Sequence, residues 1–251
     1  MAKKHEIIWM EETDSTNNRA LEGANSYPDK TTWVADFQSA GRGQRGNKWT
    51  STKAENLTFT ILFRPKEVLA QDQFLISEVS ALGVVRFLAR HNVSAKIKWP
   101  NDIYVGDKKI CGILIEHAVT GPYISSSISG IGVNLNQTEF PEGIPNPISL
   151  SLLTGAQYDR ETEMDNLLED IFYYYDKALA EYASNGKYSA VEDEYLSILY
   201  RKGEFHRYIE CESGKEIEAK IVGIDKCACL VLEDRKGARK SYPFKEISYI
   251  I

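Results

Sequence analysis

The sequence predicts an α+β protein: a mixed sheet with helices, followed by a small all-β module. Three observations carry this. Short runs of β-forming residues recur through the first 136 positions, while residues 71–92 and 161–184 carry apolar residues at helical spacing instead. From about Phe205 only short strand-like stretches remain, punctuated by turns. The division expected is a domain of residues 1–203 and a second of residues 204–251.

In chain order, His5 to Met10 is a short strand. Asp14-Ser15-Thr16-Asn17 stands ahead of the helix formers Asn18 to Glu22, an N-cap signal. Its hydroxyls and amides serve either as caps alone or also as partners of a polar ligand group. Thr31 to Phe37 is the next strand. Asn56 to Arg64 puts Leu57, Phe59, Ile61 and Phe63 on one face. Gln71 to Asn92 is a long amphipathic helix whose apolar stripe is core. Ala95 to Trp99 is a strand stopped by Pro100, so Asn101 and Asp102 fall at a strand end. Ile103-Tyr104-Val105, the turn Gly106-Asp107 and Lys109 to Val119 form a hairpin. Tyr123 to Asn136 is a strand whose Gly130 and Gly132 suggest close approach of the backbone to something. Phe140 to Pro147 is a loop, and Glu161 to Ser184 and Tyr188 to Tyr200 are helices. Strands at Tyr208–Glu210, Glu216–Ile224, Cys229–Glu233, Arg239–Pro243 and Ile247–Ile250 complete a barrel-like module.

Composition bounds the function. The chain has 251 residues, 43% hydrophobic and 26% charged, the make-up of an ordinary soluble domain. A net charge of −6 argues against a whole-surface nucleic-acid binder. Met1-Ala2-Lys3-Lys4 is basic, but acids from Glu6 onward interrupt any signal-peptide core, and no run is long and apolar enough for a membrane helix. Cys111, Cys211, Cys227 and Cys229 show no C-x-x-C pair, and Cys227 and Cys229 read as neighbours on one face of a strand. His5, His91, His117 and His206 show no ligand spacing, so no metal site is expected. The compartment implied is the cytoplasm, with no membrane partner.

Against that acidic background one loop is cationic. Gln38-Ser39-Ala40-Gly41-Arg42-Gly43-Gln44-Arg45-Gly46-Asn47-Lys48-Trp49 packs three glycines, two arginines, a lysine and a tryptophan together. Backbone N–H groups and guanidinium forks so arranged suit phosphate and carboxylate oxygens. Gly41 to Gly46 fits G-x-G-x-x-G, but a strand follows instead of the helix that a dinucleotide fingerprint requires. A kinase reading lacks H-R-D-x-x-x-x-N and D-F-G. Trp49 and Trp99 are open between core and site, as is Lys98 between a solvated strand end and the site.

Five motifs stand in the order and spacing of biotin protein ligases, which the whole chain resembles: Asp14–Asn17, Gln38–Gly46, Lys98-Trp99-Pro100-Asn101-Asp102, Lys108–Glu116 and Gly130-Ile131-Gly132-Val133-Asn134. The resemblance implies a fold like that of class II aminoacyl-tRNA synthetases with a C-terminal SH3-like barrel. It implies an enzyme that joins biotin to ATP as biotinyl-AMP, then biotinylates one lysine of a biotin carboxyl carrier protein, commonly an acetyl-CoA carboxylase subunit. Carried over by motif, Ser15, Thr16, Asn17, Gln38, Arg42, Gly43, Gln44, Lys109, Gly112 and Gly130 bind biotin. Arg45, Trp49, Lys98, Asn101 and Asn134 fall on the nucleotide side. Lys109, Arg42 and Asp102 are the catalytic candidates, with Asp102 able to orient or deprotonate the acceptor amine. Mg²⁺ is expected to arrive on the nucleotide. The family usually has arginine where this chain has Gln44, which bears on adenylate retention. No room is left for the winged-helix DNA-binding domain of bifunctional members, so no DNA partner is expected; oligomeric state is open. A lipoate- or octanoate-handling relative and a non-catalytic biotin- or nucleotide-binding protein are the alternatives.

Overall fold

A computed structural model describes residues 5–251 and all of their side chains but that of Arg45; Met1 to Lys4 lie outside the described residues. Strands β1 (Ile7–Thr13), β2 (Thr32–Gln38), β3 (Leu57–Phe63), β4 (Lys96–Lys98), β5 (Asp102–Val105), β6 (Lys108–Thr120) and β7 (Tyr123–Val133) form one sheet in the order β1-β2-β3-β7-β6-β5-β4. Only the β1–β2 pair is parallel, so the sheet is mixed as expected. Helices α1 (Thr16–Gly23), α2 (Phe74–Arg90), α3 (Leu150–Thr154), α4 (Arg160–Asn185) and α5 (Ser189–Ser197) complete the larger part.

The two faces of the sheet have different occupants, and β3 shows why. Leu57, Phe59, Ile61 and Phe63 are all fully buried in the main core with α2 and α4. The intervening Thr58 and Thr60 are buried too, on the opposite face, where Leu62 joins Ala20, Trp33 and Ile128 in a second small cluster under α1. On that opposite face the cross-strand register lines up small residues in rows. Thr58, Gly132 and Gly112 form one row, and Thr60, Gly130 and Leu114 the next, across β3, β7 and β6. Glycines on adjacent pairs remove side chains that would otherwise fill this surface, which leaves a floor.

On the helical face α2 crosses α4 closely. A Cβ on Gly83 would lie 2.4 Å from Cγ1 of Ile171, so this crossing admits only glycine without rearrangement. Arg86 and Arg90 of α2 reach the fully buried carboxylate of Asp170 on α4 at 2.9 and 2.6 Å.

Residues after Lys202 form a second, five-stranded antiparallel sheet: β8 (Phe205–Glu210), β9 (Glu216–Ile224), β10 (Leu230–Asp234), β11 (Arg239–Tyr242) and β12 (Ile247–Tyr249), in the order β11-β10-β9-β8-β12. It is seated against the strand end that carries Trp99. The Trp99 indole donates to the Ala228 carbonyl at 3.1 Å, and its ring lies 6.0 Å from that of Phe244.

Two expectations are corrected. Cys227 and Cys229 do not share a strand face: they sit in the turn before β10, where the Asp225 carboxylate accepts both of their backbone N–H groups at 2.9 and 3.0 Å. Local side-chain acceptance by Asp225 displaced the strand pairing that the apolar pattern suggested. The short helix α3, capped by Ser149, was not foreseen within the stretch after Pro147.

Candidate active site

The glycine floor lies inside a cavity of about 430 Å³ whose walls come from four places: the N-terminus of α1, the loop after β2, the β4–β6 region and the C-terminal sheet. At the first wall, Ser15 occupies the N-cap position of α1, yet no side chain caps the helix. The side chains of Thr16 and Asn17 are spent elsewhere. Thr16 gives both its backbone N–H and its hydroxyl to Gln38 Oε1, at 2.8 and 3.0 Å. Thr60 Oγ1 lies 2.8 Å from Thr16 Oγ1 and donates to Asn17 Oδ1 at 2.7 Å. Asn17 Nδ2 in turn donates to Glu116 Oε2 at 3.0 Å. Ser15, Thr16, Asn17 and Thr60 are all nearly inaccessible to water, so this is a preorganised polar pocket offering donors and acceptors together. Gly130 forms its base: a Cβ there would fall 2.0 Å from Asn17 Oδ1.

The loop after β2 is folded back on itself. Gly43 N–H donates to Asn47 O at 2.7 Å and Trp49 N–H to Gly41 O at 3.0 Å, around a single 3₁₀ turn at Gln44–Gly46. Gly46 has φ of +86° and permits the reversal. The turn returns Trp49 to the floor, where the indole lies against Gly132 and Gly112. Added Cβ atoms would come within 2.2 Å of its Cε2 and 3.1 Å of its Cζ3 respectively. Its Nε1–H is buried and meets no acceptor among the described residues, and the buried Oε1 of Gln44 meets no donor among them. Arg42 points its guanidinium at Glu116 Oε1 (2.7 Å) and Asn18 Oδ1 (3.1 Å).

Facing the loop, Lys109 at the start of β6 pairs with Asp102 at 2.7 Å, and its ammonium lies 5.9 Å from the Trp49 ring centroid. Lys98 lies over the rings of Tyr104 and Tyr249, 4.8 and 5.0 Å away, and donates to the Tyr104 hydroxyl. Burial lowers its pKa below the usual lysine value, with Asp102 opposing and Lys109 assisting that shift. Asn101 is fixed by exchange with Ile113: its side-chain amide donates to the Ile113 carbonyl, and the Ile113 N–H returns to its own carbonyl at 2.9 Å. The C-terminal sheet closes the cavity with Cys211, Phe244, Lys245, Ile247, Ser248 and Tyr249.

Of the residues named from sequence, Ser15, Thr16, Asn17, Gln38, Arg42, Gly43, Gln44, Trp49, Lys98, Asn101, Asp102, Lys109, Gly112 and Gly130 all line this one cavity. Two do not join them. Asn134 is 5% exposed and outside the lining; its amide donates to the Ile148 carbonyl at 3.0 Å, a tie that anchors the approach to α3. The side chain of Arg45 lies outside the described residues. Sequence reading missed Thr60, Glu116 and Lys245 as site elements, and marked Gly132 only as a close backbone approach. Thr60 had a signal, a polar residue inside an otherwise apolar strand, and Gly132 had its proximity to Gly130. Nothing local marks Glu116 or Lys245.

The lining carries five cations, Arg42, Lys48, Lys98, Lys109 and Lys245, against the single carboxylate Asp102. With a polar pocket at one end and this charge at the other, the fold and cavity define a ligase-type site for an acid with a polar head and an anionic second substrate. That architecture is shared with the solved biotin protein ligase from Aquifex aeolicus in complex with biotin and ATP (TM-score 0.77, 30% identity, 97% of each chain covered). The chain belongs to the biotin/lipoate A/B protein ligase family, whose model matches residues 9–134. Among curated relatives, it is similar to the biotin--[acetyl-CoA-carboxylase] ligase of Paracoccus denitrificans, with 32% identity over 245 residues, 94% of this chain and 98% of that one. It is also similar to the bifunctional ligase/repressor BirA of Bacillus subtilis, with 30% identity over 241 residues, 94% of this chain and 72% of the relative.

Proposed function

We propose that this chain is an ATP-dependent biotin–protein ligase: it condenses biotin with ATP to biotinyl-5′-AMP and pyrophosphate, then transfers biotin to a lysine of a biotin carboxyl carrier protein. The observation that carries the reading is the five-to-one excess of cations lining one cavity of a chain whose net charge is −6. A carboxylate attacking an α-phosphorus brings two anions together, and only concentrated positive charge and fixed placement overcome that repulsion. The pocket of Thr16, Asn17, Gln38 and Thr60 suits a ureido head group, which needs donors and acceptors at once. Lys109, whose Nζ lies 3.1 Å from an ideal Cβ on Gly112, is in this reading the group that meets the tail carboxylate and the α-phosphate over the floor.

In the first step a biotin carboxylate oxygen bonds to the α-phosphorus as the bond to the pyrophosphate oxygen breaks; Lys109 and Arg42 bear the charge that accumulates. In the second the acceptor amine bonds to the acyl carbon as that carbon's bond to the AMP phosphate oxygen breaks, and the amine's proton passes to Asp102. Asp102 orients Lys109 in the first step and receives the amine in the second. Among the described residues, no group of three or more His, Cys, Asp or Glu side chains is placed to hold a metal, and Asp102 is engaged by Lys109. A metal site of the chain's own does not fit these residues, so Mg²⁺ belongs to the nucleotide phosphates in this reading. No helix among the described residues is long and apolar enough to cross a membrane.

The test is pyrophosphate release with biotin, lipoate or octanoate in turn, followed by the mass of an isolated biotin carrier domain. Biotin alone should drive release and add one biotin to the domain, and Lys109→Ala should abolish release while keeping the wild-type melting temperature. Release driven by lipoate or octanoate would move the chain to the other branch of its family. Binding of biotin and ATP without release would make it a non-catalytic binder.

A further inference from the structure

One carboxylate ties the head-group pocket to the cationic loop. Glu116, on β6, stands outside the cavity lining but holds two residues within it: Oε2 accepts from Asn17 Nδ2 at 3.0 Å, and Oε1 from Arg42 Nη2 at 2.7 Å. Asn17 and Arg42 come from α1 and from the loop after β2, and share this partner across 74 to 99 residues of sequence. The consequence for Asn17 is orientation. With its Nδ2 committed to Glu116 and its Oδ1 accepting from Thr60, the amide has one way round, and that choice sets the pattern of donors and acceptors presented to the cavity. The consequence for Arg42 is station: a second bond, to Asn18 Oδ1 at 3.1 Å, holds its guanidinium at the base of α1. The Glu116 side chain is 30% exposed and that of Arg42 39%, so water screens the pair. Such a contact is strong enough to hold a loop and weak enough to be exchanged for phosphate oxygens.

We propose that Glu116 is a positioning residue that couples occupation of the head-group pocket to the placement of Arg42, so that binding at one end of the cavity and closure of the loop at the other are a single event. This rests on the biotin-ligase reading of the site. A carboxylate is required for it: two donors, one of them cationic, converge on it, and a neutral amide at this position satisfies one only by turning its own N–H₂ toward the other.

The experiment is calorimetric biotin binding to the full chain, with amide hydrogen exchange alongside. Glu116→Ala should weaken biotin roughly tenfold, the scale of one charge-assisted hydrogen bond, and should speed exchange over residues 41–49 while leaving the C-terminal sheet unchanged. Asn17 and Arg42 do not bond to each other, so their coupling reports on Glu116. The losses from Asn17→Ala and Arg42→Ala, combined, should fall short of their product by at least about threefold. In the Glu116→Ala background the two losses should multiply. Glu116→Gln, similar in size, guards against a folding defect and should show an intermediate loss. The proposal is overturned if the two losses already multiply in the wild-type background, or if their shortfall survives removal of Glu116. Failure of the wild-type chain to bind biotin at all would instead bring down the reading of the site.

Discussion

Single side chains here are set by what burial allows them to be. Glu78 on α2 is 3% exposed, its Oε2 meets no partner among the described residues, and the carboxylate of Glu192 and the phenols of Tyr188 and Tyr195 are the titratable groups that act on it. Desolvation first, and repulsion from Glu192 second, raise its pKa well above 4.5. Below about pH 4.5 the folded and unfolded chains both carry the proton. Above it the unfolded chain ionises while the folded one does not, so the wild-type protein loses stability as pH climbs toward the folded value. Glu78→Gln removes that ionisation. The difference in melting temperature between Glu78→Gln and wild type should therefore widen from pH 4 to pH 8, to the variant's advantage. Parallel melting curves across that range would mean that Glu78 is already ionised in the folded state. Tyr195, which donates to the Pro100 carbonyl at 3.3 Å, stands between this buried acid and the strand end that carries Asn101 and Asp102.

At the scale of the element, β7 divides the cavity by two glycines. Gly130 lies under Asn17, and Gly132 under the Trp49 indole. Alanine at either position would meet a neighbour inside contact distance, but the neighbour that must yield differs. Gly130→Ala presses on a buried amide held at both ends, so biotin should bind at least about tenfold more weakly while ATP is little affected. Gly132→Ala pushes on an indole that can swing off the floor, so the fold should keep its melting temperature, tryptophan emission should shift red, and ATP should lose about tenfold. Steady-state KM values for the two substrates decide whether the halves are separable; equal losses for both in each variant would show that they are not. This division was only half legible in the sequence. The elements themselves announce their periods locally, so the strands around β3 and the helices α2 and α4 fall close to where alternation and helical spacing put them. The glycine loop and the Lys98–Asp102 stretch were visible as chemistry, because glycine, cation and proline in those patterns have few other uses. What makes a floor of Gly112, Gly130 and Gly132 is the register among β3, β7 and β6, which sets Gly112 beside Gly132 across a hairpin and both beside the distant Thr58, a pairing that single stretches of sequence do not show. The bond from the Asn134 amide to the Ile148 carbonyl is likewise a product of the fold.

For the molecule as a whole, the question is why a site built on one sheet should be closed by another. The larger part supplies the floor, the polar pocket, the loop and four of the five cations; the C-terminal sheet supplies the fifth, Lys245, in the turn between β11 and β12. That lysine has φ of +79°, a left-handed conformation that costs a residue with a Cβ about 1 kcal/mol relative to glycine. Its side chain brings a positive charge to the lining of the cavity. Stability and function should then part company in Lys245→Gly. The variant should melt about 2–4 °C higher, since glycine relieves the strain, yet its KM for ATP should rise severalfold and depend less steeply on salt, because one of the charges that attracts the nucleotide is gone. Lys245→Ala keeps the Cβ and the strain while removing the charge, and should show the higher KM without the gain in melting temperature. If both variants bind ATP like the wild type, the C-terminal sheet is a wall that excludes water without contributing charge, and the nucleotide's phosphates lie wholly on Lys109, Lys98 and the loop.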